Sequence, residues 1–135
     1  MSLKLDAKFL IVDDYASVRQ VIISQLRDLD FDGSFLEAES AAEADALLDQ
    51  HEDIDFVISD WNMPEKTGVE LAREIRKHPT HGNLPILMIT TVNEKEVVLE
   101  AIQAGVNNYL LKPWKIEDLA DKIKKCCIAQ GKASE

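Results

Sequence analysis

This sequence predicts an α/β protein, in which five parallel strands alternate with five helices that cover both faces of one sheet. Two observations predict it. Short apolar runs, partly β-branched, recur along the 135 residues at lengths that suit buried strands and are too short for most helices. Between them lie segments with apolar residues three and four apart, the spacing of an amphipathic helix. Such alternation implies right-handed crossovers, and therefore parallel strands.

Phe9-Leu10-Ile11-Val12 is the first strand, and it runs into Asp13-Asp14. Val18, Val21, Ile22, Leu26 and Leu29 then mark a helix, which Asp32-Gly33 breaks. Ser34 to Ala38 is a weaker strand. Ser40 is placed to cap a second helix, with Ala41, Ala44, Leu47 and Leu48 inward and Glu43, Asp45 and Asp49 toward water. Ile54 to Ser59 is the third strand, and Asp60-Trp61-Asn62-Met63-Pro64 opens the loop after it. Val69, Ala72 and Ile75 give a third helix that fades through Lys77-His78-Pro79-Thr80-His81-Gly82. Pro85 opens the fourth strand, Ile86 to Ile89, which ends in Thr90-Thr91. Asn93 is the expected cap of a fourth helix through Val97, Val98, Ala101 and Ile102, with Gly105 as its stop. Tyr109-Leu110-Leu111 is the fifth strand, running into Lys112-Pro113. Ile116, Leu119, Ala120 and Ile123 carry the last helix, which frays at Gly131. No repeat, low-complexity stretch or linker interrupts the pattern. One domain is expected across residues 1–135, with its core over about 7–129 and no effector domain.

Hydrophobic content of 46% beside 30% charged residues is a soluble globular balance. The net charge of -10 argues against a nucleic-acid surface, because phosphate backbones are held by clustered Lys and Arg. No run reaches the ~20 apolar residues of a membrane span. The N-terminus lacks a signal-peptide pattern. Cys126 and Cys127 are sequence neighbours and read as free thiols on a helix, which fits a cytoplasmic protein.

Four of the five strand ends carry a polar residue suited to phosphate chemistry: Asp13-Asp14, Asp60, Thr90 and Lys112. Each alone has an ordinary reading as a cap, a turn or a strand end. Ligand chemistry in open α/β sheets nevertheless gathers at the carboxyl ends of strands. A sheet that sets the first and third strands side by side would bring Asp13, Asp14 and Asp60 together. Two carboxylates ~4 Å apart repel by about 4 kcal/mol at an effective dielectric of 20, so the cluster must protonate, reach solvent or hold a cation. Oxygen-only ligands suit Mg²⁺. Asp60 would then be a carboxylate nucleophile for a phosphoryl group, with Thr90 and Lys112 neutralising charge on the transferring oxygens.

Val-Asp-Asp at 12–14, Asp-Trp-Asn-Met-Pro at 60–64, Gly68, Thr90, Gly105, Tyr109 and Lys112-Pro113 together resemble the receiver domains of two-component response regulators. The likeness runs from Phe9 to about Ile128, and is strongest to single-domain chemotaxis receivers. It implies a flavodoxin-like, doubly wound sheet of order 2-1-3-4-5. It also implies that Asp60 is phosphorylated by a CheA-like histidine kinase, and that Asp14, Asp60 and the Asn62 backbone carbonyl bind Mg²⁺ directly while Asp13 acts mostly through water. Thr90 and Lys112 would grip the phosphoryl group, and Tyr109 would turn inward with Thr90. The Lys112-Pro113 bond is expected to be cis, a form cheap only before proline. Val98, Tyr109 and Lys122 would belong to an output face of the fourth helix, fifth strand and fifth helix. Lys115, Lys122, Lys124 and Lys125 could there meet an acidic peptide from a partner such as a flagellar motor switch protein. The protein is expected to be a monomer and not an enzyme, beyond its own phosphorylation and dephosphorylation.

Three positions depart from the family pattern. Thr91 is larger than the residue many receivers carry, which predicts a tighter pocket mouth. Val92 cannot orient a water and predicts an altered autodephosphorylation rate. Trp114 follows Pro113 where Phe is common, which predicts a change in packing only. Trp61 reads as structural, and as a reporter of Mg²⁺ through its fluorescence. His51, His78 and His81 read as connection residues without a metal role. Two other functions compete. A metal-dependent aspartyl-phosphate phosphatase needs an acid two residues after the nucleophile, where Asn62 stands. A docking domain with a degenerate pocket is disfavoured because no pocket residue is missing. A phosphorelay receiver with a non-chemotaxis output stays open.

Overall fold

A computed structural model describes residues 4–63, 65–91 and 93–130 of the chain, so the expectations for Pro64, Val92 and Gly131 fall outside the described residues. The strands are β1 (Phe9–Val12), β2 (Phe35–Ala38), β3 (Phe56–Asp60), β4 (Ile86–Thr90) and β5 (Asn108–Leu111). The helices are α1 (Ala16–Asp28), α2 (Ala41–Gln50), α3 (Gly68–Lys77), α4 (Lys95–Gln103) and α5 (Ile116–Ala129). The five strands pair in parallel in the order β2-β1-β3-β4-β5.

Strand alternation sorts the core into two layers. Leu10, Val12, Val57, Ile86 and Met88 face α2, α3 and α4, where they meet Ala44, Leu48, Leu71, Ile75 and Ala101. Phe9, Ile11, Phe56, Ile58, Leu87 and Ile89 face α1 and α5, against Ile22, Ile23, Leu26, Leu119 and Ile123. All residues of β1, β3 and β4 are buried, which is why these strands are apolar until their carboxyl ends, where Ser59, Asp60 and Thr90 are buried polar residues.

Several expectations need adjustment. Asp60 and Thr90 are the last residues of β3 and β4 and not the first of their loops; Asp60 pairs with Ile89 and Thr90 with Leu111. On α1 the inward stripe centres on Ile22, Ile23 and Leu26, leaving Val21 48% exposed. Ile102 on α4 is likewise 46% exposed, because this helix buries only Ala101 fully. Asn93 does not cap α4. Glu94 holds the cap position without a side-chain hydrogen bond, one residue after Asn93. Ser40 does cap α2, accepting from the Glu43 amide at 3.1 Å, and Thr67 does the same for α3 from the Glu70 amide at 3.2 Å.

Gly105 ends α4 at φ +107°, with its N–H bonded to Ile102 and that of Val106 to Ala101, the double bond of a Schellman cap. A β-carbon there would also strike the Arg76 side chain. Arg76 itself ties four elements together. Its guanidinium donates to the carbonyls of Gly82 (3.1 Å), Leu84 (2.6 Å) and Gly105 (2.6 Å), and to the side-chain oxygens of Asn107 (3.1 Å) and Gln130 (3.2 Å). Desolvation lowers its pKa from the usual arginine value.

Candidate functional site

The register Phe9↔Phe56 through Val12↔Ser59 lays β1 directly beside β3, so Asp13 and Asp14 leave one strand where Asp60 ends the next. One ligand oxygen from each of these three carboxylates lies within 4.8 Å of the others. Asp13 and Asp60 are 2% and 7% exposed, so their charges are poorly solvated. Lys112, at the end of β5, reaches across β4 and places its ammonium 3.4 Å from Asp13 Oδ2 and 3.4 Å from Asp60 Oδ1. Among the described residues one ammonium thus meets two of the three clustered acids. Burial raises the pKa of Asp60 and the Asp13 charge raises it further, while Lys112 and the Asn62 backbone N–H pull it down.

Asp14 Oδ1 is shielded from solvent and has no hydrogen-bond partner among the described residues. A buried carboxylate oxygen without a partner is costly, and the cost is removed when a cation coordinates it. The donor set is all oxygen and carries excess negative charge. It fits a hard divalent ion such as Mg²⁺. Gly68 lies behind the site, where a β-carbon would collide with the Asp60 carbonyl oxygen. Its N–H donates to the Trp61 carbonyl at 2.9 Å, which closes the loop between β3 and α3. Glu65 in that loop adopts φ +70°, a conformation uncommon for a side chain of its kind.

Thr90 is buried at 2% exposure. Alternation places it on the α2–α4 face of the sheet, as is Tyr109, whose partner across the ladder is Met88. The two residues are thus diagonal neighbours on one face, while Asp60 belongs to the other. Tyr109 is half-buried, with the Lys122 ammonium 5.7 Å from its ring centroid, within cation–π range. Val98 is half-exposed on α4. The Lys112-Pro113 peptide is cis.

Trp114 does more than pack. Its indole N–H donates to Gln25 on α1 at 2.6 Å, joining the β5–α5 connection to the first helix. Thr91 is exposed at the mouth of the site, where it lines a groove with Val18, Val21 and Lys112. Asp45 was expected to face water and instead shares Lys66 with Glu74, at 3.5 and 2.6 Å. Burial and the Glu74 carboxylate push its pKa up to about 6. His78 and His81 are not isolated: their rings stand 4.8 Å apart, and buried His81 bonds the Leu48 carbonyl at 2.9 Å. Cys126 and Cys127 are both buried, and burial raises the Cys126 thiol well above its usual value. Trp61 is half-buried against the α2–α4 layer, with its indole N–H shielded and without a partner among the described residues.

Residues 9–124 match the response regulator receiver domain family. The chain is 42% identical over 117 residues to a chemotaxis protein CheY homolog of Campylobacter jejuni, covering 87% of this chain and 89% of that one. It is 41% identical over 123 residues to chemotaxis protein CheY-3 of Vibrio cholerae, covering 91% and 93%. Among solved structures it is similar to chemotaxis response regulator CheY4 of Vibrio cholerae, with TM-score 0.80 and 33% identity over 89% of this chain and 98% of that one.

Proposed function

The chain belongs to the response regulator receiver family, and within it we propose a phosphorylation-switched chemotaxis receiver in which Asp60 carries the phosphoryl group. It is a signalling protein of the CheY type and not a classical enzyme. The observation that supports the assignment of Asp60 is the convergence of Asp13, Asp14 and Asp60 within 4.8 Å, with Lys112 3.4 Å from the last of them. A histidine kinase of the CheA type is the proposed donor. Asp60 attacks phosphorus, the P–N bond to the donor imidazole breaks with its electron pair passing to the ring nitrogen, and an acyl phosphate forms.

Asp13, Asp14, Asp60 and the Asn62 carbonyl would hold Mg²⁺. When bound, that ion draws charge from the phosphoryl oxygens and aligns them for in-line transfer. Lys112 already stands at the Asp60 oxygen and would meet a phosphoryl oxygen once the carboxylate is phosphorylated. Thr90 supplies a hydroxyl from the neighbouring strand end. Because Thr90 shares a face with Tyr109, its shift toward the phosphate opens room on that face for the tyrosine ring. The proposed readout surface holds Val98, Tyr109 and Lys122, with a flagellar motor switch protein as the downstream partner. Among the described residues no helix is long and apolar enough to cross a membrane, and a cytoplasmic location fits that.

Incubation with Mg²⁺ and acetyl phosphate, or with a phosphorylated histidine kinase, is the test. Wild type takes up acid-stable, hydroxylamine-labile label, and Asp60→Asn takes up none. Label retained in Asp60→Asn would move the nucleophile elsewhere and end the proposal.

A further inference from the structure

Asp14 is the acid whose buried oxygen lacks a partner among the described residues, so what aims it bears directly on the site. A residue's direction is set by the two rigid peptide planes that flank it. Both planes around Asp14 are held. The plane before it carries the Asp13 carbonyl, which accepts from Arg19 Nη1 at 2.6 Å. The plane after it carries the Tyr15 N–H, which donates to Asp13 Oδ1 at 2.9 Å. Arg19 is fixed in turn: its Nε donates to Glu37 Oε1 at 2.9 Å, and the same oxygen accepts from Gln20 at 3.1 Å. Glu37 lies on β2, paired with Ile11 of β1, so the brace spans α1, the end of β1 and the neighbouring strand. The Arg19 side chain is 13% exposed, which fits a built contact better than a solvated one.

We propose that Arg19, anchored by Glu37, is a positioning residue that sets the Mg²⁺ affinity of the site by locking the peptide between Asp13 and Asp14. This rests on the reading of Asp13, Asp14 and Asp60 as the metal ligands. Charge and geometry push in opposite directions here, which makes the role separable. A guanidinium close to a cation site repels the cation, so its charge alone weakens binding and its removal would tighten it. A lock on ligand direction strengthens binding, and loss of such outer partners typically costs 10–100-fold in metal affinity.

The experiment is a Mg²⁺ titration of wild type, Arg19→Met, Glu37→Gln and Asp14→Asn, followed by Trp61 fluorescence and checked by calorimetry. Arg19→Met is expected to raise the Kd about tenfold, with Glu37→Gln moving the same way by less. At Mg²⁺ concentrations that saturate each protein, acetyl phosphate is expected to label Arg19→Met at the wild-type rate, since the reacting groups are untouched. An equal or lower Kd in Arg19→Met would overturn the inference while leaving the site itself standing. Failure of wild type to bind Mg²⁺ would overturn both. Should Arg19→Met not fold, Arg19→Lys keeps the charge, loses the planar fork and gives the same two-way reading.

Discussion

Two partly desolvated charge centres, treated in opposite ways, define this molecule. Arg76 is a lone cation whose donors all meet neutral oxygens, drawn from the α3–β4 connection, the α4 cap and the end of α5. The strand-end site gathers three carboxylates, meets them with one ammonium, and leaves an oxygen of Asp14 without a partner among the described residues. The first arrangement is complete in itself and holds loops in place. The second is incomplete, and its unmet negative charge is what a bound cation would neutralise. Satisfied buried polar groups stabilise, whereas unsatisfied ones store free energy that a ligand can release.

The contrast predicts substitutions of opposite sign. Arg76→Met strands three backbone carbonyls and is expected to lower unfolding free energy by about 3 kcal/mol in urea, with phosphorylation unchanged. A loss under about 1 kcal/mol would make Arg76 merely decorative. Asp60→Asn goes the other way: without Mg²⁺ it is expected to raise stability by on the order of 1 kcal/mol, because repulsion and desolvation are relieved. Mg²⁺ at a hundred times its Kd should then stabilise wild type by about 2.7 kcal/mol and the variant by much less. Equal thermal shifts in the two proteins would mean that Asp60 holds no metal.

The smallest effect concerns Asp45, a third case lying between these extremes. Its folded pKa of about 6 stands above the ordinary 3.8, so the native state binds this proton more tightly than the unfolded chain does. Its stabilising contribution is full below about 4 and is lost as pH rises through 6. Glu74 has the opposite sign, with its pKa held below 4.5 by Lys66, so its contribution fades only below that value. Between pH 4.5 and 6 the Asp45 slope is therefore the one to see. Asp45→Asn should flatten it and be more stable than wild type at pH 7 by under about 1 kcal/mol, an amount suited to a half-exposed pair. A slope unchanged in Asp45→Asn would place the titrating group elsewhere.

The fold was legible because its signals are local. Four-residue apolar runs, helix periodicity and Ser40 as a cap each depend on neighbours in the chain; the run Phe9–Val12 and the Ser40 cap stand where the pattern puts them, while periodicity finds the helices but misplaces Val21 and Ile102. The Asp13, Asp14 and Asp60 cluster was legible for a different reason: strand order, carried by resemblance, turned three distant positions into one place. Asn93 failed because capping turns on a single residue of register. Arg19 and Arg76 left no trace in the pattern, since their partners are backbone carbonyls and side chains whose approach depends on the finished packing. Asp45 misled because a helix face looks solvated until the adjoining helix arrives with Glu74.

The pleat of β4 and β5 puts Thr90 and Tyr109 on one side of the sheet and Asp60 on the other. The sheet is therefore a partition one backbone thick, with the acids on the α1 and α5 side, Thr90 and Tyr109 on the other, and Lys122 of α5 reaching the Tyr109 ring around its edge. On the proposed reading, α4 could then change its outer face for a different partner while the wall behind it keeps Asp13, Asp14 and Asp60 where they are.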